Sequence, residues 1–332
     1  MTETSCSRRG LMSGAALLTA GLAAPHVLTR AASAQSPASP SAPPASDTPG
    51  FRRIKLGAFE VVALLDGKRA GPGPHPTFGA NQPAEAVAAL LRENFLPETT
   101  LVNGFTPVLV DTGSERILFD TGFGADGRAN GLGRLEENLA AAGYTPDQVS
   151  IVVLTHFHGD HINGLSSGGA PAFANARYVF GKAEYDFWTG STHAGKPTEN
   201  AAKNVEAKVK PLVDKATLID AGDAVVSGIT SEAAYGHTPG HLVFHIESEG
   251  KHLVLTADTA NHYVVSLQRP DWEVSFDFDK QQAAATRKRV FDRIATDRLP
   301  FIGYHMPFPS VGFVERLDQG FRFVPATYQF DI

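Results

Sequence analysis

"VLTHFHGDHINGL", residues Val153–Leu165, places three histidines and an aspartate within six positions, directly after a run of apolar β-formers. A packed core gains nothing from that density of imidazole, and a solvated loop has no need of it. A divalent metal ion does. His156 and His158 alternate, so on an extended backbone both face one side. Gly159 then lets the chain turn back, and Asp160 and His161 present a second pair of donors. This spacing suits two neighbouring ions better than one. A tetrahedral catalytic zinc takes about three protein ligands and keeps one position open, so further donors are needed downstream.

Three later stretches supply them, each at the end of a strand-like run. "YGHTPGH" offers His237 between Gly236 and a rigid Pro239-Gly240 turn, "LVLTADT" offers Asp258, and "FIGYHMPFP" offers His305. Sorted by geometry, His156, His158 and His237 hold one ion and Asp160, His161 and His305 the other. Asp258 bridges them, with a water or hydroxide as the second bridge. Imidazole and carboxylate donors suit Zn2+, Mn2+, Co2+ or Fe2+, with zinc the default for hydrolysis. Cys6 is the sole cysteine, which excludes a thiolate cage or a disulfide framework.

The rest of the composition narrows the setting. A length of 332 residues, 42% of them hydrophobic and 19% charged, is that of an ordinary soluble globular chain of one large domain or two small ones. A net charge of −6 removes the electrostatic reason to expect nucleic acid. Residues 1–34 carry Arg8-Arg9, an apolar run from Leu11 to Ala24 and an Ala32-Ser33-Ala34 cleavage site, the order of an export signal of twin-arginine type. That run is shorter than the ~20 residues a membrane span needs, so no stable insertion is expected after cleavage, and the mature protein is expected in the periplasm or secreted. Residues 35–50, rich in Pro, Ser and Ala, read as a flexible linker. The folded part is expected over 51–332.

Within it, "FEVVALLDG", "FTPVLVDTGSERILFDTG", "QVSIVVLT", "HLVFHIES" and "KHLVLTAD" read as strands; "PAEAVAALLREN", "LGRLEENLAAAG" and "KQQAAATRKRVFDRIATDR" read as helices. The mixture predicts an α+β domain of two packed sheets with helices outside. Asp66 and Asp120 each follow an apolar strand, where either a hydrogen bond to a ligand histidine or simple turn formation fits. His245 and His252 read as surface residues of a hairpin, and His75, His193 and His262 as loop residues, each a candidate for substrate contact.

"THFHGDH", "GHTPGH", "TAD" and "GYH", in this order and spacing, resemble the metallo-β-lactamase superfamily, and "LGRLEENLAAAGYTPDQV", "AEYDFW" and "GFRFVPATY" are similar to its branch of methyl parathion hydrolase and related lactone and aryl-ester hydrolases. The resemblance covers the chain after the linker, and it implies a supporting or structural role for His241. It implies a four-layer αβ/βα sandwich with the metal site between the two sheets. It also implies a dinuclear hydrolase of small neutral esters, namely lactones, aryl esters and organophosphate triesters, acting through a bridging hydroxide with Asp160 or Asp258 handling the proton. Phe123, Trp188 and Phe308 stand beside the motifs as candidate walls of an apolar substrate pocket. An exported β-lactamase and a thioester hydrolase are the alternatives, together with a metal-binding scaffold without turnover. A homodimer is compatible with the resemblance.

Overall fold

The strand Ile151–Leu154 explains the architecture in four residues. All four are buried. Ile151 and Val153 join one apolar cluster, Val152 and Leu154 another. A strand whose two faces are both covered reads as a continuous apolar run with no polar alternation. The computed structural model describes residues 49–328, so the expectations for residues 1–34 and for most of the linker lie outside the described residues.

Two seven-stranded sheets make the frame. In the first, Phe51–Leu56, Phe59–Leu64, Val108–Asp111 and Arg116–Phe119 run antiparallel, and Ile151–Leu154, Arg177–Gly181 and Ala216–Ile219 continue it in parallel. In the second, Ala224–Val226 to Lys251–Ala257 form a meander. Phe301–Gly303 then pairs parallel to Lys251–Ala257, and the hairpin Val311–Leu317 with Gly320–Pro325 closes the edge.

The inward faces meet in one cluster, with Val110, Ile117 and Val153 from the first sheet and Ile229, Phe244 and Leu255 from the second. Outside the first sheet, Leu135 and Leu139 of helix Leu135–Ala141, Trp188 of Lys182–Thr189 and Val205 of Glu199–Lys208 cover Val152, Leu154 and Phe180. Outside the second, Val290, Phe291 and Ile294 of the helix Lys280–Asp297 cover Val254 and Phe301. The layers are therefore helix, sheet, sheet, helix, an α+β sandwich as expected.

This arrangement also decides where a site can form. Arg116–Phe119 and Ile151–Leu154 are parallel neighbours, as are Lys251–Ala257 and Phe301–Gly303. All four strands release their next residues at their carboxyl ends, where open α/β sheets place ligand sites. Those next residues are Asp120, Thr155-His156, Asp258 and Tyr304-His305.

Candidate metal centre

The donors converge. The side chains of His156, His158, His237 and Asp258 form one group and those of Asp160, His161 and His305 another, with donor atoms within 4.8 Å of one another in each. His156 Nε2, His158 Nδ1 and His237 Nε2 make a triangle with sides of 3.1, 3.0 and 3.2 Å. Ring nitrogens of this kind each carry either a proton or a lone pair, so no placement of protons satisfies all three sides. Donors around a tetrahedral zinc at about 2.0–2.1 Å would stand about 3.3–3.4 Å apart, close to what is seen.

Asp258 joins the two groups. Its Oδ2 lies 3.3 Å from His237 Nε2 and 3.2 Å from His305 Nε2, while Oδ1 lies 3.3 Å from His161 Nε2. Among the described residues, His161 Nε2 and Asp258 Oδ1 are buried with no hydrogen-bond partner. Orphaned buried donors and acceptors cost about 1–3 kcal/mol each, and a cation between them would remove that cost. Asp160 Oδ2 sits 3.6 Å from both His161 Nε2 and His305 Nε2.

Electrostatics point the same way. Burial and the neighbouring imidazoles push His156 and His158 far below the ordinary histidine range, so both are neutral and ready to donate lone pairs. Burial opposes charge on His237 as well, but its hydrogen bonds to Asp258 and Asp277 raise it to about 9. His161 is likewise lifted well above the usual range, with Asp258, Asp120 and Asp160 outweighing burial. Protons on these two rings stand in for positive charge that the carboxylates demand. The residues fit two divalent ions.

Outer contacts fix the rings. His161 Nδ1 bonds Asp120 Oδ2 at 2.8 Å, and Asp120 in turn accepts from the Thr155 backbone and hydroxyl. His305 Nδ1 donates to the Gly104 carbonyl. His237 Nδ1 bonds Asp277 Oδ1 at 2.9 Å, and the buried Arg287 holds the other Asp277 oxygen. The Asp258 backbone N–H donates to His241 Nε2, whose Nδ1 donates to the Ala234 carbonyl. His241 is therefore neutral, pushed by burial down to about 3. Partners of this kind typically contribute 10–100-fold to metal affinity. Asp277→Asn is therefore expected to weaken zinc binding by about that factor, read by competition with a chromogenic chelator, while Arg287→Lys has a smaller effect.

A metallo-beta-lactamase superfamily family model matches residues 106–294. The chain belongs to that superfamily. Over 212 residues it is 29% identical to an N-acyl homoserine lactonase of Bacillus cereus, covering 60% of this chain and 76% of the relative. The dizinc quorum-quenching lactonase AidC superposes with a TM-score of 0.79 at 28% identity, over 85% of this chain and 99% of its own. The β-lactamase-superfamily hydrolase AbOPH follows at 0.77 and 26%, with the same coverage of 85% and 99%. Membership makes this chain a metal-dependent hydrolase of that fold.

Several supporting residues carry no sequence signal of their own. Glu184, on the helix Lys182–Thr189, is buried and accepts from the Phe157 and Gly240 backbone, Trp188 Nε1 and Thr238 Oγ1, so one carboxylate ties the His156–His158 loop to the His237 loop. Phe276 and Phe278, both 37% exposed, flank Asp277. Phe278 lies 6.1 Å from the His158 ring, nearly parallel to it, and Phe276 meets His237 edge-on at 5.8 Å. They wall the mouth beside the first donor group.

Of the three aromatics picked from sequence, Trp188 is buried behind that wall, stacked on His193 and committed to Glu184. Phe123 is half-buried against Phe105 on the His305 side. Phe308 stands half-buried in the turn after His305. Asp66 bonds no ligand: it accepts from the Phe123, Gly133 and Leu135 backbone. His262 and His193 are also occupied, His262 by backbone N–H groups and His193 by Thr198 and the Phe187 carbonyl. His75 bonds the Gln82 carbonyl. His245 and His252, on the hairpin, bond each other, and His245 bonds Glu232.

Proposed function

We propose that this chain hydrolyses lactones and related small esters at a dinuclear zinc centre held by His156, His158, His237, Asp258, Asp160, His161 and His305. The observation that carries this reading is the position of Asp258, whose oxygens reach rings of both donor groups while one of them is left without a hydrogen bond. Two bound divalent ions would supply Lewis acidity and a nucleophile at neutral pH.

The chain's own residues do the rest. Asp160 is the more solvent-facing carboxylate, with a side chain 19% exposed against 3% for Asp258. It is placed to take a proton from an attacking water and pass it to the departing alkoxide. The Tyr304 hydroxyl donates to the Asp160 carbonyl, fixing the start of the short helix Gly159–Ile162 that carries it. Phe276 and Phe278 hold an acyl or aryl group and keep water from that side. Similarity to homoserine lactonases and to AbOPH supports lactones first and other neutral electrophiles second. Export through a twin-arginine route, read from Arg8-Arg9 and the apolar run behind them, is part of the same proposal.

The test is turnover by the metal-loaded protein lacking residues 1–34, with His158→Ala as the blank. The panel holds dihydrocoumarin, an acyl-homoserine lactone, methyl parathion and a chromogenic cephalosporin. Lactone hydrolysis that disappears in the blank is the expected result. Cephalosporin turnover with none on the other three substrates would replace this reading with a β-lactamase.

A further inference from the structure

Beside the second donor group lies a cavity of about 540 Å3 whose lining includes Lys68, Arg69, Phe123, Asp126, Asn130 and Asn163. Two of its lining residues connect it to the metal centre. Asn163 follows the helix Gly159–Ile162 that carries Asp160 and His161. Phe123 packs on Phe105 at 4.8 Å, and Phe105 meets the His305 ring edge-on at 5.3 Å. The Arg69 guanidinium is held over these same two rings, 5.9 Å from Phe105 and 6.0 Å from Phe123. One aromatic ring separates the cation from His305.

Arg69 makes no ion pair or side-chain hydrogen bond, as is also true of Arg52 and Arg298 among the described residues, but of these three it alone lines this cavity. Ten other arginines of the described residues face a carboxylate within 4.0 Å. Neither Arg69 nor Lys68 makes an ion pair or a side-chain hydrogen bond there. The one acid in the cavity lining, Asp126, lies 3.8 Å from Lys208, and Asp66 beneath it is taken up by three backbone N–H groups. Two ring contacts anchor the guanidinium while leaving its donors free, an arrangement suited to capture of a carboxylate.

Resting on the reading of the site as an ester hydrolase, we infer that the substrate carries an anionic group, a carboxylate on the arm away from the scissile bond, and that Arg69 binds it with Lys68 adding charge. The ester itself is uncharged; the net charge of −6 makes a local cationic pocket the feature that selects such a molecule from neutral esters. The two sides of the centre then divide the work, with apolar contact at Phe276 and Phe278 and ionic contact at Arg69.

The experiment compares a matched pair on the metal-loaded protein: 4-nitrophenyl hexanoate and the 4-nitrophenyl monoester of adipic acid. The wild type is expected to favour the carboxylate-bearing ester by about tenfold in kcat/KM, through KM, with the preference shrinking as ionic strength rises. Arg69→Gln should bring the ratio near one, and Arg69→Lys should restore part of it. A ratio unchanged in Arg69→Gln overturns the inference. The same preparations are titrated calorimetrically with adipic acid monoanilide and hexananilide, amides that report binding without turnover. If neither ester nor dihydrocoumarin is hydrolysed, the hydrolase reading fails. The anilide pair then decides the Arg69 site alone, since equal loss or retention of both affinities in Arg69→Gln refutes it.

Discussion

Asp258→Asn is expected to lower lactone turnover by at least about a thousandfold and to cut bound metal from two equivalents to one or fewer. The substitution keeps shape and removes one charge, so it isolates what the carboxylate does. Burial alone would raise Asp258, yet the imidazoles of His305 and His161 hold it well below the usual carboxylate range. It is the charge that both donor groups share. An amide in its place can offer one oxygen, and its nitrogen would point hydrogens at either His161 or the His237–His305 side. One of the two ions then loses a ligand and the charge balancing it. Metal content by elemental analysis and turnover on dihydrocoumarin give the two readouts, with circular dichroism confirming that the fold persists. Two equivalents of metal together with undiminished turnover would remove Asp258 from the bridging position and, with it, the observation on which the proposed function stands.

How far the sequence foretells this centre depends on how local each contact is. The donor residues are legible because each follows a strand, and all but Asp258 sit among glycines, prolines or other donors. Local chemistry and local geometry there agree. Asp277 and Glu184 are not legible, because their partners are remote: Asp277 lies 40 residues from His237, and Glu184 lies 27 from Phe157 and 56 from Gly240. Asp66 and Asp120 show the limit plainly. Both end an apolar strand just before a turn, and nothing nearby separates them. Asp120 reaches His161, while Asp66 reaches only backbone, because the strand carrying Asp120 is the neighbour of the strand that delivers the histidines. The ribbon of Gly67–Pro72 with Thr100–Phe105 escaped for another reason. Its first strand, "GKRAGP", has the composition of a turn and no apolar face to bury. That ribbon carries Arg69. Phe276 and Phe278 are silent because a loop between helices gives no period to read.

Glu184→Ala is the substitution expected to cost most in stability, about 3–5 kcal/mol, or on the order of 10 °C in Tm. Burial pushes this carboxyl up, and the hydrogen bonds it accepts pull it back. Oε1 serves the Phe157 N–H and the Trp188 indole, and Oε2 serves the Thr238 hydroxyl and the Gly240 N–H. Alanine strands all four donors in a site that is 1% exposed and leaves a void under Trp188. Glutamine separates the charge from the hydrogen bonds: its amide nitrogen must replace one of the two oxygens, so two donors meet a donor whichever way it turns. Its loss should fall between wild type and alanine. Because three of the four stranded groups lie in the loops of His156–His158 and His237, metal affinity should fall in step with Tm, and saturating zinc should recover part of the lost stability by binding the folded state. Thermal unfolding of the three proteins with and without zinc measures this. An alanine variant that melts within about 1 °C of wild type would mean that the loops are held by their own turns, and that Glu184 merely fills space between them.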